Sequence, residues 1–390
     1  MRDAEFIFQI DSPEKNAVIK EPFIWLRGWV ALENPFDSIS FTLQTESQDI
    51  NIDINLERRQ DVKQAHSDKY SIGFNHFFSH NDIDPVLSYF IQFKTNDEQS
   101  GEIPIKFKLD KKSHNEFIHF KDYKLKQIKD LIACPVCKDS PVKTVKNQII
   151  CQNCNMIYSL NQNHYCFKNA PKAELPIYSS ANVSSNFYDN QALNLINKYK
   201  KQLILDNGSG LRDTYYKNII NLEIEDFPTT DVVGSCDNLP FRSESFDVVF
   251  SFAVLEHVKD PFKCASEIER VLKPGGMFYV AVPFLQPFHA YPDHYYNMTL
   301  NGLKNLFSEK SSIIDSGVPK SGLPVWALNW FLNSYVKGLP IGVRERFLNM
   351  QVKDFLDDPR SYYKENFVRK LNPESIQELA CVNYVIGKKK

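Results

Sequence analysis

Two constellations in this chain have residue types and spacing suited to chemistry. In the first, Asp206-Asn-Gly-Ser-Gly210 closes a short apolar run. Glycines at 208 and 210 permit a sharp turn and let a ligand approach the backbone with no Cβ in the way. Asp206 can accept a hydrogen bond from a cationic or hydroxylated ligand. Glu223 follows near the offset of about 20 residues at which an acid meets ribose hydroxyls in doubly wound folds. Asp213 stands where a dinucleotide fold wants a third small residue, which disfavours NAD and leaves another ribose-containing ligand. In the second constellation, Cys134-Pro-Val-Cys137 and Cys151-Gln-Asn-Cys154 are paired Cys-x-x-Cys knuckles, a spacing that sets four thiolates around one tetrahedral Zn²⁺. A pair of disulfides or four free thiols are the alternatives, and a Met1-Arg-Asp start with no export signal disfavours disulfides. With Cys at all four positions no coordination site stays open, so the zinc is expected to staple a segment too small for its own core.

Elements must hold these residues. The run 203–205 is short, apolar and bounded by turn residues, as expected of a buried central parallel strand. Asn221-Leu-Glu-Ile-Glu225 predicts a second strand. Further strands fall within residues 231–241, 245–258 and 269–283, the last reached from a helix through the Lys273-Pro-Gly-Gly276 turn.

Taken in this order, these stretches resemble the class I S-adenosylmethionine-dependent methyltransferases, in particular the small-molecule and sugar-type enzymes, over residues 186–318 with a closing strand near 381–386. The resemblance implies an α/β, Rossmann-like seven-stranded methyltransferase fold with S-adenosyl-L-methionine as cofactor. It implies that Asp206, Gly208, Ser209 and Gly210 hold the methionine end and Glu223 the ribose. Ser235, Cys236 and Asp237 would line the adenine, and Ser251 would end the strand facing the sulfonium. Ser235 stands where relatives often carry an Asp that reaches the adenine amino group, which implies weaker cofactor binding. Transfer from a sulfonium chiefly requires alignment of nucleophile, methyl and sulfur in a dry cleft, and a hydroxyl acceptor also needs somewhere to send its proton. Sugar-associated members carry a run similar to residues 283–297 at the mouth of the substrate cleft. That likeness makes His289, with Asp293 and His294, the acid/base candidates; the alternative is a Pro-braced aromatic loop whose histidines make only structural hydrogen bonds. His257 is expected to be a structural or capping residue. The cysteine ribbon resembles a zinc-ribbon module that precedes several methyltransferases.

Texture divides the 390 residues into three stretches. Residues 1–110 alternate apolar and polar positions between turn-rich segments, which predicts an antiparallel β-sandwich accessory domain. Trp25 and Trp29 share parity there and are expected to face the core together. Through Arg27-Gly-Trp29, Arg59-Gln-Asp-Val62 and Gly73-Phe74 this stretch resembles an accessory domain of bacterial enzymes of surface-polysaccharide synthesis. Residues 111–175 hold a linker and the zinc ribbon. The lysine-rich run 106–129 is expected to be a partly helical linker with solvated charges, and the Ser/Asn-rich run 182–186 a hinge. Residues 176–390 hold the methyltransferase domain, with an aromatic helical insertion near 320–370. Cys166, Cys236, Cys264 and Cys381 are expected to be ordinary buried thiols.

A net charge of −2 and a pI near 6.5 leave no electrostatic footprint for nucleic acid. No run has the length to cross a bilayer. Trp326 and Trp330 share a helical face, and their helix is expected to cap the substrate cleft or form a homodimer interface, with peripheral membrane contact as the alternative. The expected protein is a cytoplasmic methyltransferase, free or at the inner face of the membrane. It would act on a hydroxyl of a sugar or glycan acceptor in a bacterial surface polysaccharide or its precursor. An RNA methyltransferase using the ribbon to hold its substrate, and a non-catalytic scaffold in a glycan-synthesis complex, are the alternatives.

Overall fold

The computed structural model describes residues 2–3, 6–45, 52–57, 62, 65–66, 69–80, 89–161, 164–168, 187–289, 293–307 and 311–380. The expected hinge at 182–186, the closing strand at 381–386, Cys381 and residues 59–61 of the accessory motif lie outside them.

The N-terminal region forms a five-stranded and a four-stranded sheet that contribute to one core. Strand Phe23–Leu32 pairs antiparallel with both Phe6–Ser12 and Tyr70–Ser79. Because successive side chains point to opposite faces, Ile24, Leu26, Val30 and Leu32 enter the core together and meet Phe41, Ile91 and Phe93 of the other sheet. Gly28 lies on the same face; a Cβ there would stand 2.6 Å from Phe74 Cζ and 2.4 Å from the Gln9 carbonyl. Trp25 and Trp29 share a face, but it is the opposite one. Trp25 is 38% exposed, stacks on Phe77 and donates its indole N–H to Asn75 Oδ1 at 2.8 Å. Trp29 is covered locally by Val62 and His66. The aliphatic even positions already fill the space between the sheets, so the two indoles are left outside it.

The C-terminal half is built on parallel strands β1 (Tyr165–Cys166), β2 (Ile204–Asn207), β3 (Ile219–Glu223), β4 (Val232–Val233), β5 (Phe246–Phe252) and β6 (Leu272–Ala281), in the spatial order β1-β4-β3-β2-β5-β6. This is the Rossmann-like α/β arrangement of methyltransferases within a larger mixed sheet. Strands β2 and β5 are central; Ile204 and Leu205 of β2 and Val248, Val249 and Phe250 of β5 are apolar and buried, as cover on both faces requires, and buried polar residues appear only toward their carboxyl ends, at Asp206, Asn207 and Ser251. The Lys273-Pro-Gly-Gly276 turn is absorbed into β6 as an irregularity: Phe246 pairs with Leu272 but Val248 with Met277, and Gly275 takes φ +75°.

The cysteine ribbon does not stand apart. Its strands Val142–Val145, Gln148–Cys151 and Ile157–Leu160 pair antiparallel in turn and then join β1, continuing the parallel sheet to nine strands. Cys134, Ile149, Cys151 and Tyr158 pack in the same core as Leu205, Ile220 and Val249. The knuckle after Cys137 is tied across by Lys138 to Glu267 at 2.7 Å and by Asp139 Oδ2 accepting from the Ser243 hydroxyl at 2.7 Å.

The lysine-rich run corrects the expectation of a solvated linker. It forms helix α1 (Lys111–Ile128), started by Asp110 accepting from the Ser113 amide at 2.9 Å. Lys121 and Lys124 are buried and reach the wholly buried Asp231, Lys124 at 2.8 Å and Lys121 at 3.5 Å. Asp231 also accepts from the Asn221 amide at 2.9 Å and from the Tyr215 hydroxyl. Polar spacing on a helix reads as solvated until a buried carboxylate elsewhere in the chain claims it, and here the claimant is more than a hundred residues away.

Candidate active site at the switch point of the sheet

Chain order reverses between β2 and β5: the strands after β2 run outward through β3 and β4, and β5 returns to its other side. Ligands of open α/β sheets bind at such a point, outside the carboxyl ends of the strands. Asp206 and Asn207 end β2 there. Gly208 takes φ +81° and Gly210 φ +61°, left-handed conformations that glycine adopts at no steric cost. The Gly208 and Ser209 amides donate to the Leu222 carbonyl at 2.9 and 3.0 Å, pinning the turn to β3. A Cβ on Gly208 would stand 2.3 Å from Val254 Cγ2, so the loop after β5 lies directly on the turn.

Glu223 reaches back to this turn. Its carboxylate accepts from the Gly210 amide at 2.8 Å and the Ile224 amide at 2.7 Å, and its burial raises its pKa. Asp206 is buried with one oxygen fully engaged: Oδ2 accepts from the Tyr188 hydroxyl at 2.6 Å and from Arg212 Nε at 2.8 Å and Nη2 at 2.7 Å. Arg212 and Tyr188 were not legible as site residues; the only signal was a basic side chain two positions past the glycine turn. Ser209 turns its hydroxyl onto the Gly210 carbonyl at 3.1 Å. Ser235 donates to Asp237 Oδ1 at 2.5 Å, and Asp237 faces Lys263 at 3.4 Å. Cys236 is buried with its sulfur 3.2 Å from that of Cys264 in helix α3 (Pro261–Val271), which follows helix α2 (Asn190–Lys198) in the chain, so its thiol packs inward.

Six buried polar atoms without a hydrogen-bond partner belong to four residues beside this point: Asp206 Oδ1, both amide atoms of Asn207, Ser251 Oγ and both oxygens of Glu256. Buried polar groups are normally paired, so their concentration at the ends of β2 and β5 marks a place built for a polar ligand. Together with the glycine cradle it fits the amino-acid and ribose groups of S-adenosylmethionine. Burial pushes the Glu256 carboxyl up to about 8.

The histidine segment after β6 closes one side. His289 donates from Nδ1 to the Pro287 carbonyl at 2.8 Å, and burial holds its pKa down at about 4. His294 is in ring contact with it, 4.2 Å between centroids. Asp293 pairs with the Tyr295 hydroxyl at 2.8 Å, while its backbone carbonyl meets His257 Nδ1 at 2.6 Å. The three sequence candidates are thus neighbours, but Asp293 and His294 do not form a hydrogen-bonded dyad among the described contacts, and His257, set aside in the sequence, joins the cluster instead. Helix α4 (Pro324–Lys337) lays Trp330 against His289 at 5.3 Å, held by its N–H to Glu378 at 2.9 Å, whereas Trp326 is exposed.

The Cys134, Cys137, Cys151 and Cys154 sulfurs all lie within 4.8 Å of one another. Left-handed residues Lys138 and Asn155 directly follow the knuckles, and the Asn153 amide points at Cys151 sulfur at 3.4 Å. Four thiols converging in this way have the donor set of a tetrahedral site.

Residues 214–280 match the family described as methyltransferase domain. The matched residues lie within the α/β unit, from the segment before β3 to β6. A Mycolicibacterium smegmatis protein described as a probable S-adenosylmethionine-dependent methyltransferase is 43% identical over 58 residues, 15% of this chain and 23% of that protein. A sterol 4-C-methyltransferase of Caenorhabditis elegans is 41% identical over 49 residues, 13% of this chain and 15% of its own. The chain therefore spans less than a quarter of the length of these relatives. A solved S-adenosylmethionine-dependent methyltransferase of Thermotoga maritima aligns with a TM-score of 0.24 and 22% identity, over 29% of this chain and 67% of that one. Among the described residues no helix is long and apolar enough to cross a membrane.

Proposed function

We propose that the protein transfers a methyl group from S-adenosylmethionine to a hydroxyl of a sugar in a bacterial surface polysaccharide or its precursor. The observation that carries the methyl-donor half is the set of unpaired buried groups on Asp206, Asn207 and Ser251 around the Gly208 turn. When bound, the cofactor supplies an electrophilic methyl on a sulfonium. Asp206 and the turn amides would hold its amino-acid end, Glu223 its ribose, and Ser235 and Asp237 its base. What the chain contributes to the reaction is alignment and exclusion of water, with α4 and Trp330 as cover.

The acceptor half rests on the N-terminal double-sheet region and the segment carrying His289. A ring kept neutral by burial, with Nδ1 on the Pro287 carbonyl, keeps a lone pair on Nε2 for the acceptor side of the reaction. The ribbon is read as a structural zinc site, and the exposed apolar face of α4 as the side turned to a partner copy or a lipid-linked glycan. Calorimetry with S-adenosylmethionine tests the donor half: micromolar affinity is expected, and no heat at millimolar ligand would leave only a scaffold. Labelled methyl transfer to nucleotide sugars, lipid-linked oligomers and RNA separates the acceptors, with RNA binding expected to be absent rather than merely salt-sensitive. With the right acceptor, His289→Ala is expected to lower kcat by about 100-fold; unchanged turnover would remove His289 from the chemistry.

A further inference from the structure

The loop after β5 and the segment after β6 bring Glu256, His257 and His289 together, with one ligand-capable atom from each lying within 4.8 Å of the others. Three atoms so placed share a centre at most about 2.8 Å from each, a bound that admits the metal–ligand distances of about 2.1 Å for imidazole and carboxylate after a small inward shift. The hydrogen bonds around the rings decide which nitrogens are free. His257 Nδ1 lies 2.6 Å from the Asp293 carbonyl and His289 Nδ1 lies 2.8 Å from the Pro287 carbonyl. A carbonyl only accepts, so both rings carry their proton on Nδ1 and keep the lone pair on Nε2. This is how metal-binding histidines are commonly oriented. His257 Nε2 lies 3.9 Å from Glu256 Oε1.

His294 is the internal contrast. Its Nδ1 accepts from the His289 amide at 3.1 Å and its Nε2 meets Asn297 Oδ1 at 3.0 Å, while the Asn297 amide nitrogen is committed to the Gln286 carbonyl at 3.0 Å. Both of its nitrogens are occupied, and it braces the segment. Glu256 supplies the second, independent observation. It is wholly buried, and neither carboxylate oxygen has a hydrogen-bond partner. A buried carboxylate is retained where something pairs with it, and no lysine or arginine contact to it is found among the described residues. Its backbone is fixed instead, the Glu256 carbonyl accepting from the Tyr295 amide at 2.7 Å and the Tyr296 amide at 3.2 Å.

We infer that Glu256, His257 and His289 bind a divalent transition-metal cation through one carboxylate and two imidazole Nε2 atoms. Two imidazoles and one carboxylate suit zinc, iron, cobalt or manganese and leave coordination positions open. Val254, two residues before Glu256, packs on the Gly208 turn, so the cation stands beside the crevice. On the methyltransferase reading, its open positions take oxygen atoms of the acceptor, best a sugar with neighbouring hydroxyls, and His289 serves as a ligand rather than as a direct partner of the acceptor proton.

The full-length protein with its cysteine site filled by zinc is titrated with Mn²⁺, which thiolates bind poorly, and free Mn²⁺ is followed by electron paramagnetic resonance. One Mn²⁺ per chain is expected, with affinity at least 10-fold weaker in Glu256→Gln and in His289→Ala and retained in His294→Gln, each variant checked for native circular dichroism. Absence of Mn²⁺ and Co²⁺ binding in the wild type, or unchanged affinity in both ligand variants, overturns the inference. S-adenosylmethionine calorimetry on the same samples keeps the two readings apart. Donor binding without any cation at this site sinks the metal alone, whereas a bound cation with no donor binding upholds the metal and sinks the methyltransferase reading.

Discussion

Asp206 and Asp231 are both wholly buried carboxylates in the same sheet, and they are treated in opposite ways. Asp231 has two lysines, a tyrosine hydroxyl and a backbone amide across its two oxygens. Burial alone would raise its pKa, but Lys124 and Lys121 outweigh that and hold it below the usual carboxylate range. Asp206 has Arg212 and Tyr188 on one oxygen and nothing on the other. The carboxylate satisfied on both sides fastens α1 to the sheet; the one left half-satisfied next to the glycine turn keeps an oxygen for the proposed cofactor. Both are equally buried, and they differ in the completeness of their hydrogen bonding.

The sharpest way to break this comparison is to neutralise each carboxylate in turn. Asp231→Asn leaves two buried ammonium groups without a counter-charge and is expected to destabilise by about 3–5 kcal/mol, read as a shift in urea midpoint. The fraction still folded should bind S-adenosylmethionine with wild-type affinity. Asp206→Asn removes one counter-charge from Arg212, which also lies 4.3 Å over the Tyr188 ring, and should cost about 1–3 kcal/mol while weakening the cofactor at least about 10-fold. Equal losses of affinity in the two variants would erase the distinction between the two carboxylates.

Gly208→Ala probes the turn itself. The left-handed backbone costs a non-glycine residue about 1–3 kcal/mol, and the new methyl would meet Val254 at 2.3 Å. Adding Val254→Ala relieves the contact but not the backbone, so the double variant is expected to recover part of the stability and little of the cofactor affinity in calorimetry. Full recovery of both would mean that the turn only packs.

The parallel strands and the glycine turn were readable in the sequence because each rests on local information: apolar runs, their bounding turn residues and the spacing of Asp206, Gly208 and Gly210. Strand β2 is displaced only slightly from the expected run, to Ile204–Asn207. The paired cysteines likewise announce their cluster. What escaped depends on partners distant in sequence. Lys121 and Lys124 look solvated until Asp231 is placed beside them, and the two tryptophans of one strand look like core until the aliphatic face is seen to fill it. In the histidine segment, composition pointed to the right neighbourhood but not to the grouping. His257 belongs with His289, because only the fold sets the loop after β5 against the segment after β6. The same holds for the ribbon, whose residues share a core with β2 and β3 although they read as a separate module.

The smallest effect gives the finest test, because its sign differs between two serines toward opposite ends of one strand. Ser245, just before β5, is buried and donates its hydroxyl to the Arg242 carbonyl at 2.7 Å. Ser251, near its carboxyl end, is buried with its hydroxyl unpaired. Removing a satisfied hydroxyl typically costs about 1 kcal/mol, while removing an unsatisfied one is close to neutral or slightly stabilising. Ser245→Ala should therefore lower the thermal midpoint and leave cofactor affinity alone. Ser251→Ala should hold or raise the midpoint of the free protein and weaken S-adenosylmethionine by a few-fold, since the hydroxyl gains its partner only when the crevice is filled. If Ser251→Ala destabilises the free protein as much as Ser245→Ala does, that hydroxyl is already paired without a ligand, and unpaired groups at the ends of β2 and β5 lose their meaning as the outline of a binding site.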